Sequence, residues 1–247
     1  MAITVTIDGR KISVDKGTTV LQAARDLGIE IPTLCHSEAV EPYGACRVCI
    51  VEASDGKRWS KVVTSCNYEV WEGLEVSTKS EPLVRTRREI LDLVLSAHPG
   101  SAVIRELAAR YGVHEPSYPG KADDDCILCG LCVRVCEQVV GVSALGFANR
   151  GPSRRMTIPF EQASLTCIGC GSCAYICPTR CLHLEDRDGK RILYKQRRNN
   201  VLKEFDLLPC ASCGRPFLPR EQLEHVQKTL KLPRAVAQTC PSCGGPK

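Results

Sequence analysis

The sequence has no run of about 18 apolar residues, so no membrane span is expected. It opens without a basic patch followed by an apolar block, so no secretory leader is expected. Aromatic residues make up only 5%, which argues against a single large aromatic core. Neither Gly-x-Gly-x-x-Gly nor Gly-x-x-x-x-Gly-Lys-Ser/Thr occurs, so the common dinucleotide and P-loop fingerprints are absent. The five histidines (His36, His98, His114, His183 and His225) include no helical His-x-x-x-His pair. No Ser/His/Asp constellation stands out either, so no catalytic residue is expected. What the chain has in excess is cysteine, 17 in 247 residues. In a chain without an export signal, that number points to metal binding or redox chemistry rather than a disulfide framework. The odd count also argues against complete pairing. The apolar fraction of 43% and charged fraction of 25% are those of a globular protein.

The cysteines fall in four groups, and none lies between Cys66 and Cys126. This predicts a string of small modules, each too small to be stable alone and each completed by an inorganic centre. The overall class is α+β.

In the first module, residues 1–80, Ile3, Val5 and Ile7 alternate with threonines as a half-buried strand. Asp8-Gly9 signals a hairpin, and Ile12 and Val14 begin the return strand. Thr18 or Thr19 caps a helix carrying Val20, Leu21, Ala24 and Leu27, which Gly28 ends. Val48, Ile50 and Val62-Val63 read as further strands. A long loop runs from Cys35 to Cys46-x2-Cys49, and Cys66 follows. Four thiolates suit a 2Fe–2S cluster. The alternatives are zinc or four buried thiols.

Residues 81–118 carry no cysteine. Leu83, Ile90, Leu91, Val94 and Leu95 share one helical face, with Ser80 as its cap and Pro82 in the first turn. His98-Pro99-Gly100 ends that helix. Ser101 caps a second one bearing Ile104, Leu107, Ala108 and Tyr111, which Gly112 stops. The expectation is a helical hairpin acting as connector.

In residues 119–186, Cys126-x2-Cys129-x2-Cys132-x3-Cys136 recurs as Cys167-x2-Cys170-x2-Cys173-x3-Cys177-Pro178. This is the bacterial ferredoxin run, in which the fourth cysteine of each run ligates the other cluster. One 4Fe–4S cluster is therefore assigned to Cys126, Cys129, Cys132 and Cys177. The second takes Cys167, Cys170, Cys173 and Cys136. Cys181 is left as a spare buried thiol, with replacement of Cys177 as the alternative.

Residues 187–204, rich in lysine and arginine, read as a solvated basic linker, or alternatively as a patch for a partner subunit. The tail, 205–247, carries Cys210-x2-Cys213-Gly214 and Cys240-x2-Cys243-Gly244. These two knuckles suit a tetrahedral zinc site in a zinc-ribbon-like tail. A third 4Fe–4S cluster or a redox-active dithiol are the alternatives. Leu223, Val226 and Leu230 suggest a helix between the knuckles.

Several segments together resemble a known family. They are Ile31-Pro-Thr-Leu-Cys35, Gly44-Ala-Cys46-Arg-Val-Cys49-Ile-Val-Glu52, Thr64-Ser-Cys66, Glu72-Gly-Leu-Glu-Val76, and the first ferredoxin run with Gly146-Phe-Ala-Asn-Arg-Gly151. The set is similar to the iron–sulfur-rich subunit of respiratory complex I and to the same region of iron-only hydrogenases. It is also similar to NAD-linked formate dehydrogenases and to the diaphorase iron–sulfur subunit of NAD-reducing nickel–iron hydrogenases. The resemblance covers about residues 1–186 and implies a β-grasp fold with Cys66 as the fourth 2Fe–2S ligand. In that family a His-Pro pair opens a three-cysteine loop that holds another 4Fe–4S cluster. Here His98-Pro99 is present and the loop is absent, so the resemblance implies a lost cluster on a retained helical scaffold.

The resemblance also implies an electron wire between a flavin-containing NAD(P)H-binding subunit and a hydrogenase or formate dehydrogenase catalytic subunit. The expected setting is the cytoplasm. A soluble multi-cluster carrier that docks transiently is the alternative. A nucleic-acid binder is disfavoured, because only Tyr194, Phe205 and Phe217 offer stacking surfaces in 187–247. The formal charge of +5 treats every cysteine as neutral. Four thiolate centres at roughly −2 each would bring it to about −3, so the excess of cations reads as compensation for the centres.

Overall fold

Strand β1 (Ala2–Ile7) turns through Asp8 and Gly9 into β2 (Arg10–Asp15). Ile7 pairs with Arg10, and the two loop residues have φ of 47° and 80°. That is the two-residue hairpin an Asp-Gly pair favours, because its twist matches that of the strands. Helix α1 (Val20–Asp26) follows, and its N-cap Thr19 accepts the Gln22 amide at 3.2 Å. It presents Val20, Leu21, Ala23 and Ala24 to the core and stops before Gly28, which has φ 70°. Strands β3 (Ile50–Ser54) and β4 (Ser60–Thr64) form a second hairpin. Strand β5 (Glu75–Ser77) inserts between the two hairpins, parallel to β1 and antiparallel to β3. The sheet order is β2-β1-β5-β3-β4, a mixed sheet packed on one helix, which is the β-grasp arrangement.

This computed structural model describes residues 2–118, 120, 125–158, 165–195 and 200–244. The chain divides into two units, Met1–Gly130 and Leu131–Lys247.

The first unit continues into α2 (Glu81–Ala97) and α3 (Ala102–Ala109). Ser80 and Ser101 occupy their N-cap positions as expected, but neither side chain makes a capping hydrogen bond. Pro82 takes the first turn, where no backbone N–H is needed. Leu91, Leu95, Ile104 and Ala108 pack against Leu34 and Val48, the neighbours of Cys35 and Cys49. The helical hairpin is thus a wall of the first cysteine site rather than a spacer.

In the second unit, α4 (Leu131–Arg134) runs into a π-helical turn at Val135–Val139. A two-stranded ribbon, β6 (Gly146–Ala148) with β7 (Arg155–Thr157), and the short helix α5 (Ser172–Tyr175) follow. Next comes an antiparallel sheet of β8 (Leu182–Arg187), β9 (Lys190–Lys195), β10 (Val201–Pro209) and β11 (Pro216–Pro219). Its order is β11-β10-β9-β8. Helix α6 (Arg220–Leu230) and the turns α7 (Arg234–Ala237) and α8 (Pro241–Gly244) close the unit.

The segment 187–204, expected to be a solvated linker, is mostly strand. Asp188 and Gly189 (φ 52° and 74°) make a second Asp-Gly hairpin between β8 and β9. Leu182, Leu193 and Phe205 are buried, while charged residues fill many of the positions between them. Residues 196–199 of that segment lie outside the described residues. No helix among the described residues is long and apolar enough to cross a membrane.

Candidate metal centres

Cys35, Cys49 and Cys66 are buried in the first unit, and Cys46 is half-buried. The loop that carries Cys46 and Cys49 curls through left-handed residues, Gly44 at φ 67° and Arg47 at φ 60°. A Cβ on Gly44 would stand 2.9 Å from the side-chain nitrogen of Asn67, which would have to shift, and the left-handed φ itself favours glycine. The amide and hydroxyl of Ser65 both donate to the Cys49 carbonyl, at 3.0 and 2.8 Å, which ties the Cys66 turn to the loop. The Cys46 amide donates to the Cys35 sulfur at 3.4 Å.

The thiols are close enough to share protons. A hydrogen bond from Cys66 pulls Cys49 down to about 6, and the same contact pushes Cys66 far up. Cys46 is pushed up by its contact with Cys35 and by burial. An all-sulfur pocket with inward-pointing amides fits a 2Fe–2S group, whose sulfurs accept N–H bonds.

Sequence reasoning missed Arg87. Its guanidinium is buried and donates to the carbonyls of Val48, Ile50 and Thr78, at 3.1, 2.6 and 3.4 Å. The signal was available, because Arg87 lies midway between Leu83 and Leu91 on the buried face of α2. His98 ends α2, and its amide donates to the carbonyls of Val94 and Leu95.

In the second unit, Cys136, Cys167, Cys170 and Cys173 line one cavity, together with Leu145, Ile168 and Leu193. The first run thus contributes one cysteine to the three of the second. The π turn places Cys136. Its carbonyl accepts the amides of Val142 and Ser143 at 3.1 and 3.3 Å, and its sulfur accepts that of Ala144 at 3.2 Å. Burial pushes the Cys136 and Cys167 thiols up, and Cys173 to about 12. At Cys167 the Gly169 amide and the Lys203 charge act in the opposite direction. An apolar four-sulfur cavity that disfavours bare thiolates fits an iron–sulfur cube, which supplies the positive metal charge the thiolates need.

Of the remaining run cysteines, Cys126 and Cys129 are buried near the end of the first unit, and Cys132 is buried at the start of the second. Cys177 lies 3.5 Å, sulfur to sulfur, from the buried Cys181, whose thiol hydrogen bond is the main cause lowering Cys177 to about 5.

The tail brings its two knuckles together. The sulfurs of Cys210, Cys213, Cys240 and Cys243 all lie within 4.8 Å of one another, with Cys213 and Cys240 at 3.9 Å. The amides of Cys240 and Ser212 donate to the Cys210 sulfur at 3.3 and 3.4 Å. The amides of Cys240 and Cys213 are the leading causes lowering Cys210 to about 6. The first knuckle sits on the β10–β11 hairpin and the second on α8. The spacing suits a single four-coordinate ion, since metal–sulfur bonds of about 2.3 Å set tetrahedral sulfurs about 3.8 Å apart.

A family model for the 2Fe-2S iron-sulfur cluster binding domain matches residues 1–81, and one for the 4Fe-4S dicluster domain matches 125–181. The chain is 36% identical over 201 residues to NADPH-Fe(3+) oxidoreductase subunit alpha of Geobacter sulfurreducens, covering 72% of this chain and 23% of that one. It is 35% identical over 211 residues to NADP-reducing hydrogenase subunit HndD of Solidesulfovibrio fructosivorans, covering 73% and 36%. With the mitochondrial NADH-ubiquinone oxidoreductase 78 kDa subunit of Candida albicans the identity is 30% over 186 residues, covering 65% and 25%. The chain therefore spans about a quarter to a third of the length of these curated relatives. Among solved structures, a chain of NAD+-reducing [NiFe]-hydrogenase in the H2-reduced state matches with 34% identity and a TM-score of 0.53. That match covers 64% of this chain and 75% of the hydrogenase chain. A 2Fe–2S domain, a dicluster domain and these relatives in common place the chain in the iron–sulfur subunit family of NAD(P)-linked hydrogenases and complex I-like oxidoreductases.

Proposed function

We propose that this chain relays electrons between a flavin-containing NAD(P)H-binding subunit and a hydrogenase catalytic subunit in a cytoplasmic complex. The cavity walled by Cys136, Cys167, Cys170 and Cys173 carries the reading, because crossing between runs is the signature of a dicluster electron carrier. The clusters, when bound, supply one-electron transfer, and the side chains hold, shield and tune them. Cys35, Cys46, Cys49 and Cys66 hold the 2Fe–2S cluster. Cys126, Cys129, Cys132 and Cys177 hold the first 4Fe–4S cluster, and Cys136, Cys167, Cys170 and Cys173 the second. Cys210, Cys213, Cys240 and Cys243 hold zinc, a reading supported by their sulfur spacing. The names of the relatives support a nicotinamide-linked partner, and the solved neighbour supports a hydrogenase over a formate dehydrogenase.

Purification of the tagged chain from its native cell tests this. A flavoprotein and a hydrogenase subunit are expected to co-purify, with hydrogen-dependent nicotinamide reduction by the complex. A fully active monomer with no such partners would overturn the subunit reading in favour of a freely docking carrier.

A further inference from the structure

The backbone of the loop that lines the second-cluster cavity is gripped by two cations of the sheet. Lys203 on β10 donates from Nζ to the Cys167 carbonyl at 2.9 Å. Arg191 on β9 donates from Nη1 to the Gly169 carbonyl at 3.2 Å. The loop backbone lies flat on the same sheet. A Cβ on Gly169 would stand 3.1 Å from Phe205 and 3.0 Å from Pro219, and one on Gly171 would stand 2.7 Å from Leu184. The two cations differ in charge balance. Arg191 is neutralised by a two-pronged pair with Asp186, at 2.7 and 2.8 Å. It also bonds the Phe217 carbonyl and Gln222, so it braces the loop against the tail. Lys203 has a looser acid partner, Glu221 of α6 at 3.8 Å. The side chain of Lys203 is 11% exposed and that of Glu221 is 38% exposed. Water therefore screens the carboxylate more than the ammonium. The ammonium also lies over the Phe205 ring, 4.6 Å from its centre.

We infer that Lys203, balanced by Glu221, sets the reduction potential of the second 4Fe–4S cluster, so that the C-terminal module tunes a relay station. This rests on the ligand set proposed for that cluster. One-electron reduction adds one negative charge inside the loop, and an ammonium bonded to the loop stabilises the reduced form over the oxidised one. The Lys203 hydrogen bond also polarises the Cys167 peptide group in the same sense. Lys203 acts through the loop and is a positioning and tuning residue.

Full-length, iron-loaded protein titrated with dithionite and followed by EPR reads the midpoint directly, and Cys173→Ser identifies the signal by its loss. Lys203→Met is expected to shift that midpoint down, and Glu221→Gln to shift it up. Lys203→Arg should leave it near the wild-type value. The 2Fe–2S midpoint in the same samples should stay fixed. A purely structural role would not give opposite shifts from the two ends of one ion pair. The inference is overturned if Lys203→Met keeps its iron with an unmoved midpoint, or if both variants shift the same way. Should Lys203→Met fail to fold, Glu221→Gln decides alone, and an unmoved midpoint overturns the inference. If no 4Fe–4S signal disappears in Cys173→Ser, the ligand assignment fails instead.

Discussion

Arg87 spans Cys49: its Nε donates to the Val48 carbonyl at 3.1 Å and its Nη2 to the Ile50 carbonyl at 2.6 Å. The residue is 3% exposed and its ring neighbour is Tyr111. A helix that carries no cysteine therefore fixes the backbone on both sides of one proposed ligand.

Arg87→Leu should leave those carbonyls buried without donors. Hydrogen bonds from charged groups contribute about 1.5–3 kcal/mol each, so a loss of about 3 kcal/mol is expected. The check is denaturant titration followed by the visible absorbance of the 2Fe–2S cluster. The midpoint should fall well below that of wild type, and Arg87→Lys should lie between. An unchanged midpoint for Arg87→Leu would show that the grip is incidental.

Cys170→Ser and Cys181→Ser should separate a ligand from a spare. The expected inventory is about ten irons per chain, from one two-iron and two four-iron centres. Cys170→Ser should lose about four of them. Cys181 touches Cys177 yet lies outside both runs, so Cys181→Ser should keep them all. Colorimetric iron analysis decides, and iron loss in Cys181→Ser would make it a ligand in place of Cys177.

Metal removal at the tail should be felt unevenly. Arg191 ties the second-cluster loop to Phe217 and Gln222, whereas the 2Fe–2S site belongs to the other unit. Cys240→Ser is expected to release about one zinc and to speed iron loss under a chelator from the 4Fe–4S centre only. Elemental analysis giving about fourteen irons and no zinc in wild type would reassign the tail to a third cube.

Two left-handed glycines should respond differently to alanine. Gly189 has φ 74° and open space around its Cβ position, so Gly189→Ala should cost only the backbone penalty of about 1 kcal/mol. Gly171 has φ 79° and a Leu184 methyl 2.7 Å from the same position. Gly171→Ala should cost more and should lower 4Fe–4S occupancy, measurable as iron per chain and as a shifted denaturation midpoint.

What could be read from the residues was local. The cysteine runs, the Asp8-Gly9 turn, the Thr19 cap and both helices of the connector depend on neighbours in the chain. The same Asp-Gly signal at Asp188-Gly189 was hidden by its flanks, since Arg187, Lys190 and Arg191 suggested a solvated stretch. Charge alone does not reveal which way a lysine stem points. Lys203 and Arg191 turn inward because loop carbonyls wait there, and those partners stand 36 and 22 residues away. The π turn at Cys136 was equally hidden. Its widened backbone answers to the Val142–Ala144 amides, and the spacing of the ferredoxin run carries no sign of it.

The position of Cys136 also bears on biogenesis. Its partners across the cavity begin at Cys167, and the lysine behind them is residue 203. During synthesis the second pocket is unfinished until both have left the ribosome, and the thiols of the first run emerge before the residues that wall that pocket. Loading of the proposed second cluster would therefore trail translation, whereas the β-grasp pocket and its helical wall are complete once α3 has formed.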